Sequence, residues 1–200
     1  MKQILILLIL LIPLDISIKQ DTEPASKVYR KGKFSYHYNA SINKRYIKQL
    51  IMLINQDVRD PSDAVYIKIS LNSGGGTVQE GFKLIDLFEK LRRRGYKIHV
   101  HCKERCASMA FTILRAADLR TMDTTTQLMT HHLYTKWTLG GYSFKEAEHS
   151  PSSLILQRRR TLIEIKGTIW EGRPKEWEAF NDLGDVWIDK PKAEKYHIID

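Results

Sequence analysis

Only two cysteines, Cys102 and Cys106, occur in 200 residues, which excludes the small disulfide-framed folds that depend on several bridges. They are also too few for a structural zinc site, which takes four ligands. His99 and His101 do not complete one, because alternation along a strand turns both away from Cys102. No apolar run reaches the ~20 residues that cross a bilayer as a helix. There is no repeat of fixed length and no low-complexity tract, and an apolar fraction of 42% excludes a disordered chain. The net charge of +9 is dispersed apart from Arg92–Arg94 and Arg158–Arg160. Without a finger, an RNA-recognition aromatic signature or a sustained basic helix, nucleic acid is not an expected partner.

What is present starts at the N-terminus. Lys2 precedes an apolar run from Ile4 to Leu14, broken only by Pro13, with the length of a signal-peptide core. No small-x-small cleavage site follows closely: Asp15, Ile16 and Ser17 are poor candidates, and Ala25-Ser26 lies far on. Residues 1–19 are therefore expected to be a signal peptide or an N-terminal anchor that associates with a membrane, a buried N-terminal element being the alternative. As signal peptide or as anchor, the segment leads to the expectation of an exported chain, in a periplasm or beyond. In an oxidising compartment Cys102 and Cys106 can form a disulfide if a turn brings their Cα atoms within ~7 Å. Two buried free thiols are the alternative.

Residues 20–32 are polar and charged and read as a linker. From residue 33 onward one pattern recurs, a short apolar strand, a turn and an amphipathic helix. Phe34–Tyr38 alternates as a strand. Ser41 or Asn43 caps a helix to about Gln56. Val65–Leu71 is a β-branched strand, and Gly74-Gly75-Gly76 leads into a helix from about Val78 to Arg94 that Gly95 ends. Lys97–Cys102 and Gln127–His131 read as strands, and Ala107–Ala117 as a buried helix. Residues 145–172 read as one long helical stretch broken near Pro151, followed by a shorter helix over Lys175–Asn181. Alternating strands and helices predict an α/β fold with largely parallel pairing.

Two segments combine conformational freedom with a candidate nucleophile. Asn72-Ser73-Gly74-Gly75-Gly76-Thr77 is a strand running into bare N–H groups at a helix start, which suits an anion or an oxyanion. It matches neither a Walker A loop nor a dinucleotide fingerprint. Cys106-Ala107-Ser108-Met109-Ala110 places a serine at a strand-to-helix junction, where it is either a nucleophile or a helix cap.

The order of these segments resembles the proteolytic subunit of the Clp protease, within the Clp/crotonase fold group that also includes signal peptide peptidase A. That family runs Asn-Ser-Pro-Gly-Gly, then Ala-Ser-Met, then Met-x-His, a protruding handle, and an Asp about eleven residues before Tyr-Gly-Leu-Val-Asp. Asn72–Gly76, Ala107–Met109, Met129-Thr130-His131 and Asp185 to Tyr196–Asp200 stand in that order, over residues 32–200. Gly74 replaces the family proline and His197 the family glycine. His132 beside His131, and Asp182 and Asp189 around Asp185, leave neighbours that only the spacing sets aside.

The resemblance implies a repeated β-β-α superhelix with a protruding helical handle at about residues 140–180 of a domain spanning 33–200. It implies a serine endopeptidase with Ser108, His131 and Asp185 as its triad and the N–H groups of Gly75 and Met109 as its oxyanion hole. Such chemistry needs no metal and no cofactor. Peptides or unfolded proteins are the expected substrates, and the family's rings imply a homo-oligomer. Leu154, Leu156, Leu162, Ile163, Ile165, Ile169 and Trp170 exceed what one hairpin can bury and point to a partner surface. Outside the cytoplasm there is no ATP, so ATP-independent action is expected. A non-catalytic exported scaffold of the same fold, or a crotonase-type acyl-CoA enzyme, are the competing readings.

Overall fold

A computed structural model describes residues 25–30, 33–58, 66–139, 142–147, 150–182 and 184–200. The expected signal segment, residues 1–19, lies outside these. The chain opens with β1 (Ala25–Arg30) and β2 (Lys33–Asn39), then α1 (Lys44–Asp57), β3 (Tyr66–Ser73) and α2 (Val78–Arg93). β4 (Lys97–Ala107), α3 (Met109–Arg115), β5 (Leu119–Met122) and β6 (Gln127–Thr130) follow. A hairpin of β7 (Tyr134–Leu139) and β8 (Tyr142–Ala147) leads to α4 (Pro151–Ile165) and α5 (Pro174–Asn181). β9 (Val186–Ile188) and α6 (Lys190–Lys195) end the chain.

One sheet organises the described residues, in the order β1-β2-β3-β4-β6-β9, with β5 beside β4. β2 through β6 pair in parallel, while β1 and β9 run antiparallel to their neighbours. This is the α/β architecture that the alternating pattern predicts. The helix-facing side of the sheet carries Tyr36, Tyr38, Ile67, Ile69, Ile98 and Val100, all within 1% of full burial. Helix α1 answers with Ile47, Leu50 and Ile54, spaced to fall on one face. Asn43 caps it, accepting from the Tyr46 N–H at 3.0 Å. Gly95, at φ 89°, closes α2 with paired bonds from its own N–H to Arg92 and from Tyr96 to Leu91, the Schellman arrangement.

Several expectations are corrected. Ala25–Arg30, read as linker, is an edge strand paired to β2. Edge strands tolerate charge because the backbone supplies the pairing, so polar composition hides them. β4 runs on to Ala107 and α3 begins only at Met109. Pro151 starts α4 instead of breaking a helix, with Ser150 accepting from the Ser153 N–H as its cap, and Lys145–Ala147 belong to β8. The apolar residues of this region are largely spent within the chain: Ile165 and Trp170 are buried and Leu156, Ile163 and Ile169 pack on the core. Leu154, Ile155 and Leu162 remain exposed.

Candidate active site

β4 changes partner part-way. Its residues His99–Cys102 pair with β5 and Arg105–Ala107 with β6. On its other side Leu71 pairs with Cys102 and Ser73 with Cys106. Three residues, Lys103–Arg105, thus stand opposite Asn72 alone, and the bulge brings the Cys102 and Cys106 Cα atoms to 6.0 Å. The two are joined in a disulfide, buried at both ends. The turn that the pairing requires is this bulge inside a strand.

Immediately after β4, Ser108 turns the chain into α3 with φ 54° and ψ −121°, a conformation costly for a residue with a Cβ. Its hydroxyl makes no cap bond to the helix, so capping does not account for it. Its N–H donates to Met129 O at 2.8 Å, which ties the serine backbone to β6. The next residues along β6 are Thr130 and then His131, so Ser108 and His131 both leave the sheet at the C-terminal ends of adjacent parallel strands.

The glycine loop closes on the same point. A Cβ on Gly75 would lie 2.6 Å from Ala107 O, 2.7 Å from Ser108 Cβ and 3.2 Å from Met109 N. Only glycine fits, and its φ of 92° requires glycine as well. Gly75 N–H donates to Ser73 Oγ at 3.1 Å. Behind it, Gly81 on α2 leaves room for the Met109 side chain, which a Cβ there would strike at 2.4 Å.

His131 is buried, and its Nδ1 contacts the His132 carbonyl. A carbonyl only accepts, so Nδ1 carries the proton in this contact. His132 turns elsewhere: its Nε2 contacts Glu178 O at 3.1 Å and Asp182 Oδ1 at 3.0 Å. In the antiparallel pairing of β6 with β9, Thr130 stands opposite Val186. One step further on stand His131 and Asp185, the latter exposed.

Two findings from comparison bear on this arrangement. The sequence profile of the Clp protease family matches residues 24–200. The chain belongs to the Clp protease family. Membership places it among serine-type peptidases. Among solved structures, it is similar to the ClpP protease catalytic domain from Plasmodium falciparum, at 21% identity and a TM-score of 0.63. The match covers 85% of this chain and 83% of that one, and at that identity it speaks for the fold. No individual curated protein matches the chain.

Beneath the junction lies a polar cluster with no motif in the sequence to announce it. Glu164 of α4, 1% exposed, is paired with Arg160 at 3.0 Å. Thr112, one helical turn beyond Ser108, donates to its Oε1 at 2.5 Å, and Thr130, next to His131, to Oε2 at 3.5 Å. Trp177 Nε1 donates at 3.3 Å. A Glu and Arg four apart on a helix read as a solvated surface pair, and only the tertiary fold buries them. Arg115 is likewise buried and donates to three carbonyls, of Glu164, Lys166 and Ile198. Burial, with Arg120 nearby, pushes its guanidinium down to about 9. Among the described residues no cluster of His, Cys, Asp and Glu could hold a metal ion.

Proposed function

We propose that this Clp protease family member is an ATP-independent serine endopeptidase that hydrolyses peptides or unfolded proteins outside the cytoplasm. Ser108 is the nucleophile, His131 the base and Asp185 the carboxylate that stabilises its charged form. The observation that carries the reading is the contact between the glycine loop and the serine. Gly75 abuts Ser108 Cβ and Met109 N so closely that no side chain is accommodated, while Ser108 holds a strained turn with no capping bond to justify it.

The chemistry follows from acyl transfer. His131 Nε2 takes the Ser108 Oγ proton as Oγ attacks the peptide carbonyl. The Nδ1 proton held toward the His132 carbonyl keeps Nε2 as the basic nitrogen, and Asp185 stabilises the imidazolium across the β6–β9 pair. The oxyanion takes the N–H of Met109 and that of Gly75, which gives up or shares its bond to Ser73 Oγ. Each such donor is worth ~3 kcal/mol in the transition state. His131 then returns the proton to the leaving amine, and water repeats the sequence on the acyl-enzyme.

Location and energy source rest on different observations. The apolar run after Lys2 suits an export signal, and a disulfide suits an oxidising compartment. ATP is absent there, so substrates are short or already unfolded. No described helix is long and apolar enough to cross a membrane. Proteins of this family typically form homo-oligomeric rings, and the same is proposed here.

The deciding experiment is fluorophosphonate labelling with the adduct located by peptide mass spectrometry, alongside hydrolysis of unfolded casein without nucleotide. An adduct on Ser108 that is lost in His131→Ala but kept in His132→Ala is expected, with casein hydrolysis abolished in Ser108→Ala. A folded, assembled protein that takes no label would make it a non-catalytic scaffold.

A further inference from the structure

We propose that Arg105 gives this site a preference for substrates with a carboxylate side chain beside the scissile bond; the inference rests on the peptidase reading above. At the C-terminal edge of the sheet a groove of about 910 Å³ runs between the end of β2, the glycine loop, the β4 bulge and β9. Asn39, Asn72, Gly75, Arg105, Gln127 and Trp187 are among its lining residues. Gly75, which lines the groove, also abuts Ser108 and the Met109 amide, so one wall of the groove adjoins the point where an acyl carbonyl would sit.

Arg105 is the cation of that groove. Its guanidinium lies flat against Gly74: a Cβ there would meet Nη2, Cζ and Nε at 3.5, 3.7 and 3.9 Å. The neighbouring acid is engaged elsewhere, since Glu104 accepts from Asn72 Nδ2 at 2.9 Å. Arg105 makes no hydrogen bond or ion pair among the described residues. Its backbone is fixed by the bulge, which the Cys102–Cys106 disulfide closes. A peptide lying along Asn72–Gly75 toward Ser108 passes this planar fork of donors, whose geometry matches a carboxylate through two parallel bonds. Trp187, 46% exposed, offers an apolar surface on the other side of the groove.

The test uses internally quenched peptides that carry Asp, Asn or Lys at each position flanking the cleaved bond, with the full chain as enzyme. At one of these positions the ratio of kcat/KM for Asp over Asn is expected to be about tenfold at low salt and to shrink as salt rises. Arg105→Gln is expected to bring that ratio to about one, Arg105→Glu to favour Lys over Asp, and Arg105→Lys to retain part of it. The ratio is internal to each protein, so differences in folded fraction cancel. An Asp-to-Asn ratio unchanged between wild type and Arg105→Gln would overturn the proposal while leaving the peptidase reading intact. No hydrolysis of any peptide by assembled protein would overturn both.

Discussion

Two residues other than glycine hold a positive φ among the described ones, Ser108 at 54° and His197 at 57°. The strain at Ser108 sets its Cβ against the glycine loop, where the proposed chemistry needs it. The strain at His197 has no such return. His197 follows the cap of α6, its N–H donating to Glu194 O and that of Ile198 to Ala193 O, the Schellman pattern that glycine fills at least cost. The Clp family has glycine in the corresponding place, and the backbone explains why. Since His197 is exposed, His197→Gly is expected to stabilise the protein by about 0.5–1 kcal/mol, relief of strain outweighing glycine's entropy. Urea unfolding would show this as a higher midpoint at unchanged slope. An unchanged midpoint would mean that the imidazole contributes what the backbone loses.

α4 is the element whose role the sequence conceals most. Its Glu164 carboxylate gathers Thr112 from the serine helix, Thr130 from the histidine strand and Trp177 from α5, so it joins the parts that carry the site. Arg160, fully buried, compensates its charge, although Nη1 finds no partner among the described residues. Breaking such a pair leaves a buried charge alone, at a cost of about 3–5 kcal/mol, whereas removing both charges together is nearly neutral. Glu164→Gln is therefore expected to lower unfolding stability by that amount. Adding Arg160→Met should recover most of it, a cycle read by urea denaturation. If the double variant is no better than the single, the loss comes from the threonine bonds and not from the stranded charge.

At the scale of the whole molecule, α4 also presents three of the large apolar side chains that are exposed among the described residues. Leu154, Ile155 and Leu162 are 53%, 69% and 56% exposed, and their spacing sets them along one side of the helix. If the proposed homo-oligomer forms, a second copy of the chain is expected to cover them. Ile155→Glu is expected to lower the mass observed by size exclusion with light scattering, because an interface core does not tolerate an unpaired charge. A mass unchanged by the substitution would place the subunit contact on another face.

Turn chemistry and periodicity act over a few residues, so local sequence sufficed for the strands and helices around Asn43, Gly75 and Gly95, the parallel α/β class and the order of the family motifs. It also set Ser108 at a strand-to-helix junction. β1 was not legible, because an edge strand needs no apolar face; β7 carried no strand assignment, and the end of β8, Lys145–Ala147, fell in a stretch that reads as helix. The remainder depends on pairings between distant residues. The bulge in β4 exists because Leu71 and Ser73 take Cys102 and Cys106 as partners. His132 turns to Asp182, fifty residues on, while His131 stays buried at the C-terminal end of β6. Glu164 and Arg160, polar by every local measure, end in the interior because three elements close over them, and burial is a property of the assembled fold.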